Sequence, residues 1–348
     1  MAASRILPLA VPEIVSYPHI SYAMSVLSLD PEGVDWVFSN YVQLCMLDHG
    51  STVEMRYFVP NADLFHFPGL FGTQHVSRDW ILHYCPSFSD FVRFSIDREF
   101  YVWTFVDEYY IPGTRSYRNQ SFEHAIMIYG YDDEHREFHI SGYLENQRYM
   151  QSTIAYDSVE QAFTEMRVPS LHYANNTHLL KRSPNAYEFK THWIMEQLSD
   201  YGGAKPSDVR LEVFEERKDC PYYWGIGVID GLQEKLSQQL RGETFVDHRP
   251  FFILLEHKKT MNKRLAYMTD KGYFQFSDSV RAGYKDIESK AQTILNLELK
   301  YLITRDNRFL NQIVERLDGL REAESKTIEQ MLAQYDESTE GGRNDGRP

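Results

Sequence analysis

The chain has 348 residues, 43% of them hydrophobic, and a formal net charge of -14. That length supports one large core or two ordinary ones, and two units are the better expectation. The acidic balance argues against nucleic acid or an anionic membrane surface as the main partner, since either needs a basic face.

The cysteines are Cys45, Cys85 and Cys220, a sparse set without CxxC spacing. A disulfide framework or a zinc ribbon is not expected from them, and a reducing cytoplasm is. The opening stretch MAASRILPLAVPEIV is interrupted by Pro8 and Pro12 and lacks a small-residue cleavage site, so it does not read as a signal peptide. No window approaches the roughly 20 apolar residues of a membrane span.

The first element is the apolar stretch Tyr22 to Leu29, which predicts a helix beginning at or just after Ser21, with the serine hydroxyl able to cap it. Asp30-Pro31-Glu32 then opens a second helix: aspartate as cap, proline in the first turn, glutamate favourable to the dipole. Val34, Val37, Phe38, Tyr41, Val42 and Cys45 fall on its inner face, which makes Cys45 a core residue. Further on, FYVWTFV (Phe100 to Val106) reads as a buried strand ending at Asp107. A loop from Glu108 to Glu123 returns the chain to His124, which heads the apolar run HAIMIY.

If those two strands are antiparallel neighbours, Asp107 and His124 share one sheet edge. An imidazole where a sheet meets solvent suits proton transfer, although an ordinary strand-end histidine has the same look. Glu137 to Tyr143 forms a third strand after the Asp132-Asp133-Glu134 turn and brings residues 142 to 146 back to that edge. His135 and His139 have HxxxH spacing, but it crosses a turn into a strand, so no metal site is expected.

The texture changes over residues 167 to 187, a stretch with two prolines and an Asn pair that marks a boundary. Beyond it, Tyr187 to Leu198, Trp224 to Leu240, Arg249 to Met268, Val280 to Ile303 and Asn307 to Tyr335 have helical spacing. Gly225-Ile226-Gly227 lacks the third glycine of a nucleotide fingerprint and reads as a helix opening. Leu310, Ile313, Leu317 and Leu320 form a packing stripe. Lys258, Lys259, Lys263 and Arg264 are the one basic concentration on a helix, either a solvated face or a docking surface. The expected division is therefore 1–168, a linker at 169–186, a helical domain at 187–335, and a disordered tail at 336–348.

The stretches SYPHISYAMSVLS, WTFVDEYYIP, HAIMIYGYDD and SVEQAFTEM, in that order, resemble papain-like cysteine enzymes of the bacteriocin-leader peptidase type, and more closely the butirosin biosynthesis protein H family. The resemblance covers roughly residues 5 to 168. It implies an α+β fold in which a papain-like domain with an antiparallel sheet precedes an α-helical domain. It also implies a cytoplasmic acyltransferase of specialised-metabolite biosynthesis that moves an acyl or aminoacyl group from a carrier-protein thioester to an amine.

On that reading the partners are an acyl or peptidyl carrier protein and a small-molecule amine. No cofactor is needed, because phosphopantetheine arrives on the carrier, and a homodimer through the helical domain stays open. The family pattern implies a catalytic cysteine at the helix start, yet Ser21 stands there. Ser21 is then a serine put in place of cysteine, which chemistry favours, or a native nucleophile, or the protein is a non-catalytic relative, and a plain helix cap is compatible with all three. A thiol beside a helix start and an imidazolium becomes a thiolate, and a hydroxyl depends wholly on a general base. His124 is the base. For the third position Asp107 comes first, with Glu145 and Asn146 as second choices because they follow the third strand. A peptidase is the other enzymatic alternative.

Overall fold

The computed structural model describes residues 4–59, 71–145, 147–167, 172–182, 186–210 and 222–344. In chain order, β1 (Ser4–Ile6), α1 (Pro18–Leu27) and α2 (Pro31–Asn40) precede a hairpin of β2 (Gln43–Asp48) and β3 (Val53–Phe58). Next come β4 (Phe71–Ser77), α3 (Arg78–Tyr84), α4 (Phe88–Asp97), β5 (Tyr101–Asp107), β6 (Glu123–Asp132), β7 (Glu137–Leu144), β8 (Arg148–Ala155), α5 (Tyr156–Thr164) and β9 (Asn176–Arg182). The rest is helical apart from one short strand: α6 (Thr191–Gly202), β10 (Tyr222–Trp224), α7 (Val228–Leu240), α8 (Arg249–Asp270), α9 (Asp278–Thr304) and α10 (Asn307–Asn344). The fold is α+β with antiparallel sheets, and among the described residues no helix is long and apolar enough to cross a membrane.

Two compact units interleave in sequence. The first holds residues 1–34 and 61–187, the second 35–60 and 188–348. Residues 35–60, expected in the first domain, thus cluster with the helical one, and residues 176–182, expected in a linker, form β9 of the first unit's sheet. The helix expected to run on to Cys45 stops at Asn40, so Cys45 is a core residue on a strand rather than a helix. Where a disordered tail was expected, α10 continues to Asn344.

In the first unit the strands run β4-β9-β5-β6-β7-β8, with β1 added against β6, and every pair is antiparallel. The uninterrupted apolar run of β6 is buried from Ala125 to Tyr131, the pattern of a strand covered on both faces. Helix α1 packs on β6 and β9, and α4 and α5 on β5 and β6. Phe88 of α4 and Phe163 of α5 stack at 3.8 Å between centroids, and the buried Arg78 guanidinium lies 3.9 Å above the Phe163 ring.

The second unit joins the small sheet β10-β2-β3 to α6 through α10. Cys45, Leu47 and Trp224 form an apolar cluster with Tyr222 and Phe58. Gly225 opens α7 as expected. Its φ of +54° and the Tyr201 carbonyl, which an added Cβ would meet at 2.1 Å, admit only glycine there. The stripe Leu310, Ile313, Leu317 and Leu320 is fully buried.

The four basic residues expected to form one face of α8 do not share it. Lys258 and Arg264 of α8 are fully buried, and only Lys259 and Lys263 of the four are exposed. Lys258 Nζ shares its three protons among both carboxylate oxygens of buried Glu324 at 2.6 and 2.7 Å, Tyr201 Oη at 2.7 Å and His257 Nδ1 at 3.2 Å. His257 then carries its proton on Nε2, which donates to the Val42 carbonyl at 2.7 Å. Burial, and then Lys258, hold this imidazole well below its usual pKa, so it stays neutral. Arg264 donates from Nε to Phe38 O and from Nη2 to Tyr41 O, binding the last carbonyls around the end of α2.

A buried pair that loses one partner leaves an uncompensated charge, which costs about 3–5 kcal/mol. Glu324→Ala should therefore lower unfolding stability by about that amount in urea titrations, and the double variant Lys258→Met/Glu324→Leu should recover most of the loss.

Glu298 of α9 is fully buried with no hydrogen-bond partner for either oxygen among the described residues. Burial, opposed by Arg305 and reinforced by Asp247, pushes its carboxyl up to about 7. A carboxyl raised on folding stabilises the protein fully below its unfolded pKa of about 4.3, and that stability is lost as pH rises through the folded value. Between about pH 4 and pH 7 this group should remove about 3 kcal/mol, and denaturation curves of Glu298→Gln should lack that part of the slope.

Candidate active site

Helix α1 begins earlier than its apolar pattern suggested. Tyr17, extended at φ -135° and ψ 140°, occupies the cap position without a side-chain bond to the helix amides, and Pro18 starts the helix, where its missing N–H is no loss. Ser21 is therefore inside the first turn and is not the cap. Its own amide and that of Ile20 both donate to Tyr17 O, at 3.0 and 3.1 Å, so neither is offered to a substrate oxyanion.

The Ser21 side chain is fully buried. Its Oγ lies 3.2 Å from Pro18 O and 3.2 Å from Tyr143 Oη. Tyr143 has a single hydroxyl proton and donates it to Val15 O at 2.7 Å, which leaves the Ser21 proton shared between Pro18 O and Tyr143 Oη. Both acceptors are neutral. No hydrogen bond joins Ser21 to His124 among the described residues; the Tyr143 ring, edge-on to the imidazole at 5.7 Å between centroids, connects the two neighbourhoods.

His124 sits at the start of β6, where Val106 of β5 is its register partner and Asp107 is the partner of Glu123. The expected strand pairing is thus present, but successive side chains of a strand alternate between faces, so Asp107 leaves the sheet on the side opposite to Val106. Its carboxylate caps the following turn. Oδ1 accepts from Tyr109 N at 2.9 Å and Phe122 N at 3.0 Å, and Oδ2 accepts from Ser121 Oγ at 2.6 Å.

The carboxylate beside the imidazole is that of Glu108. One residue past the strand, the 3₁₀ turn Glu108–Tyr110 swings this side chain back, and its Oε1 lies 2.8 Å from His124 Nδ1. A carboxylate accepts only, so Nδ1 carries the proton and Nε2 is the basic nitrogen. The Glu108 side chain is 8% exposed and the His124 side chain 28%, an arrangement of buried anion and accessible base. Of the Asp-Glu pair at the strand end, Asp107, the expected partner of His124, binds the turn, and Glu108 one residue later meets the imidazole.

Of the second choices, Glu145 lies exposed after β7 with its amide on Gly113 O at 2.9 Å, and Asn146 lies outside the described residues. Beneath the site, hydroxyls continue inward. Tyr22 Oη donates to Ala125 O at 2.7 Å, and Ser141 Oγ donates to Tyr149 Oη at 2.8 Å. Burial, and then Tyr143, Tyr149 and Glu108, raise the Tyr22 phenol well above its usual pKa, so it remains a neutral donor. His135 is bound to Asp132 in the turn before β7, and no group of three or more His, Cys, Asp or Glu able to hold a metal occurs among the described residues. Compared with known proteins, the chain matches no protein-family model and no curated protein.

Proposed function

We propose that the first unit is a papain-like acyl-transfer domain in which His124, oriented by Glu108, is the general base and position 21 carries the nucleophile. The observation that supports it most is the 2.8 Å contact between His124 Nδ1 and the buried Glu108 carboxylate, which holds one tautomer and leaves Nε2 as the basic nitrogen of a partly exposed ring. In the first step the position 21 side chain attacks a carrier-protein thioester, Nε2 accepts its proton, and the C–S bond breaks with that proton passing to the departing pantetheine thiolate. In the second step an amine attacks the enzyme ester or thioester, Nε2 accepts the amine proton, and position 21 leaves with it, so that an amide forms and the enzyme is restored.

Both steps require Tyr143 to release Ser21. The amides of Ile20 and Ser21 are committed to Tyr17 O and the Tyr143 proton to Val15 O, so the Tyr143 hydroxyl can serve a developing oxyanion only once it turns away from Val15 O. The amine acceptor is a small molecule and the donor an acyl or peptidyl carrier protein. With Lys258 and Arg264 buried, Lys259 and Lys263 are the two of that basic group left exposed on α8 for the carrier's acidic surface.

One observation favours a second reading, a non-catalytic binding domain: the Ser21 hydroxyl is fully buried and bonded to two neutral acceptors. The Ser21→Cys variant separates the two. Offered a panel of acyl-carrier and small-molecule thioesters, it should gain the acyl mass at position 21 by intact-protein and peptide mass spectrometry. His124→Ala should abolish the adduct, and Glu108→Gln, which permits the wrong tautomer, should slow acylation about 10²- to 10⁴-fold. A folded Ser21→Cys protein that forms no adduct, and whose introduced thiol is alkylated by iodoacetamide no faster than a free cysteine, would establish the binding domain instead.

A further inference from the structure

The loops that follow β5 and β7 enclose a feature unused by the reaction outlined above. Gly113, Thr114 and Arg115 on one side and Glu145 and Gln147 on the other line a cavity of about 690 Å³, a size typical of small-molecule sites. The two sides are tied to one another and to the site. Glu145 N donates to Gly113 O at 2.9 Å, and Thr114 Oγ1 donates to the carbonyls of Glu108 and Ile111 at 3.0 and 2.9 Å. Gly113, at φ +85°, makes the turn that sets Thr114 and Arg115 along the cavity. The walls are thus organised before any ligand arrives.

Arg115 and Glu145 are both exposed, and among the described residues neither side chain has an ion-pair or hydrogen-bond partner, each other included. Opposite charges that line one cavity without neutralising each other are complementary to a ligand bearing both signs. A guanidinium presents two parallel N–H donors to a carboxylate or phosphate, and a carboxylate accepts from an ammonium. A ligand with only an anion meets repulsion from Glu145, and one with only a cation meets repulsion from Arg115.

We infer that this cavity binds a small zwitterion, its anionic group on Arg115 and its ammonium on Glu145. The binding stands on the cavity alone. That the bound amine is the acceptor in acyl transfer rests on the reading given under the proposed function; it follows from the Thr114 bond to the backbone of Glu108, the residue that orients His124.

The test is calorimetric titration of the full chain at low salt with ω-amino acids from glycine to 6-aminohexanoate, beside hexanoate and hexylamine as single-charge probes. At least one amino acid should bind about tenfold or more tightly than either single-charge probe, and Arg115→Gln and Glu145→Gln should each weaken it about tenfold. Both side chains are exposed, so the variants should unfold at the temperature of the parent. The inference is overturned if no amino acid outbinds the single-charge probes, or if its affinity is unchanged in both variants. Absence of zwitterion binding by the parent chain, together with an intact position 21 adduct in Ser21→Cys, would reject this site and leave the acyl-transfer reading standing.

Discussion

The antiparallel register of β5 and β6, with Val106 opposite His124, determines what every group at the site edge can reach. It sets the imidazole at the rim of a sheet whose interior is apolar, and by strand alternation it turns Asp107 away. The next residue is then the first whose side chain can return. Glu108 does so because the strand gives way there to a 3₁₀ turn, and the turn holds because Asp107 caps it and Thr114 grips its backbone. Two adjacent carboxylates thus divide the work: one shapes the turn, and the other holds the His124 imidazole.

A different constraint governs the second unit. Its central helix, α8, is buried around most of its circumference and has to accommodate a lysine, an arginine and a histidine in that interior. Each is made tolerable by partners already fixed for another reason: a glutamate on α10, the carbonyls that end α2, and a strand-linking carbonyl at Val42. Such ions contribute little net stability relative to apolar replacements, but they penalise any packing that separates them.

Much of this architecture was legible in the chain. Apolar runs bounded by turns marked β5, β6 and β7, and spacings of three and four marked α6 to α9 within about four residues and the start of α10 at Asn307, because both signals are local. The Asp30-Pro31-Glu32 start of α2 was equally plain, and Asp30 Oδ1 accepts from Gly33 N at 2.8 Å. What escaped was set by distant partners. Nothing near Asn40 says that Arg264 will cap the end of α2, and nothing in QLCMLD says that its strand partner lies at Tyr222–Trp224. Lysine and arginine on α8 looked like a charged face because sequence records charge and not burial. Ser21 looked like a cap because its apolar run starts after it, whereas proline placed the helix start a turn earlier.

The interleaving of the two units bears on how the protein is made. The hairpin β2–β3 leaves the ribosome early, yet β10, which completes its sheet, is not synthesised until residues 222–224. At roughly 5–20 residues per second, that delay is on the order of 10 s. Throughout it, the β2 edge and the apolar side chains of Cys45, Leu47 and Phe58 lack their Trp224 partner, while most of the first unit emerges between them. An unpaired apolar strand edge held open for that long is a ready template for pairing with other nascent chains, so the synthesis of this protein in quantity depends on what shields residues 43–58 during translation.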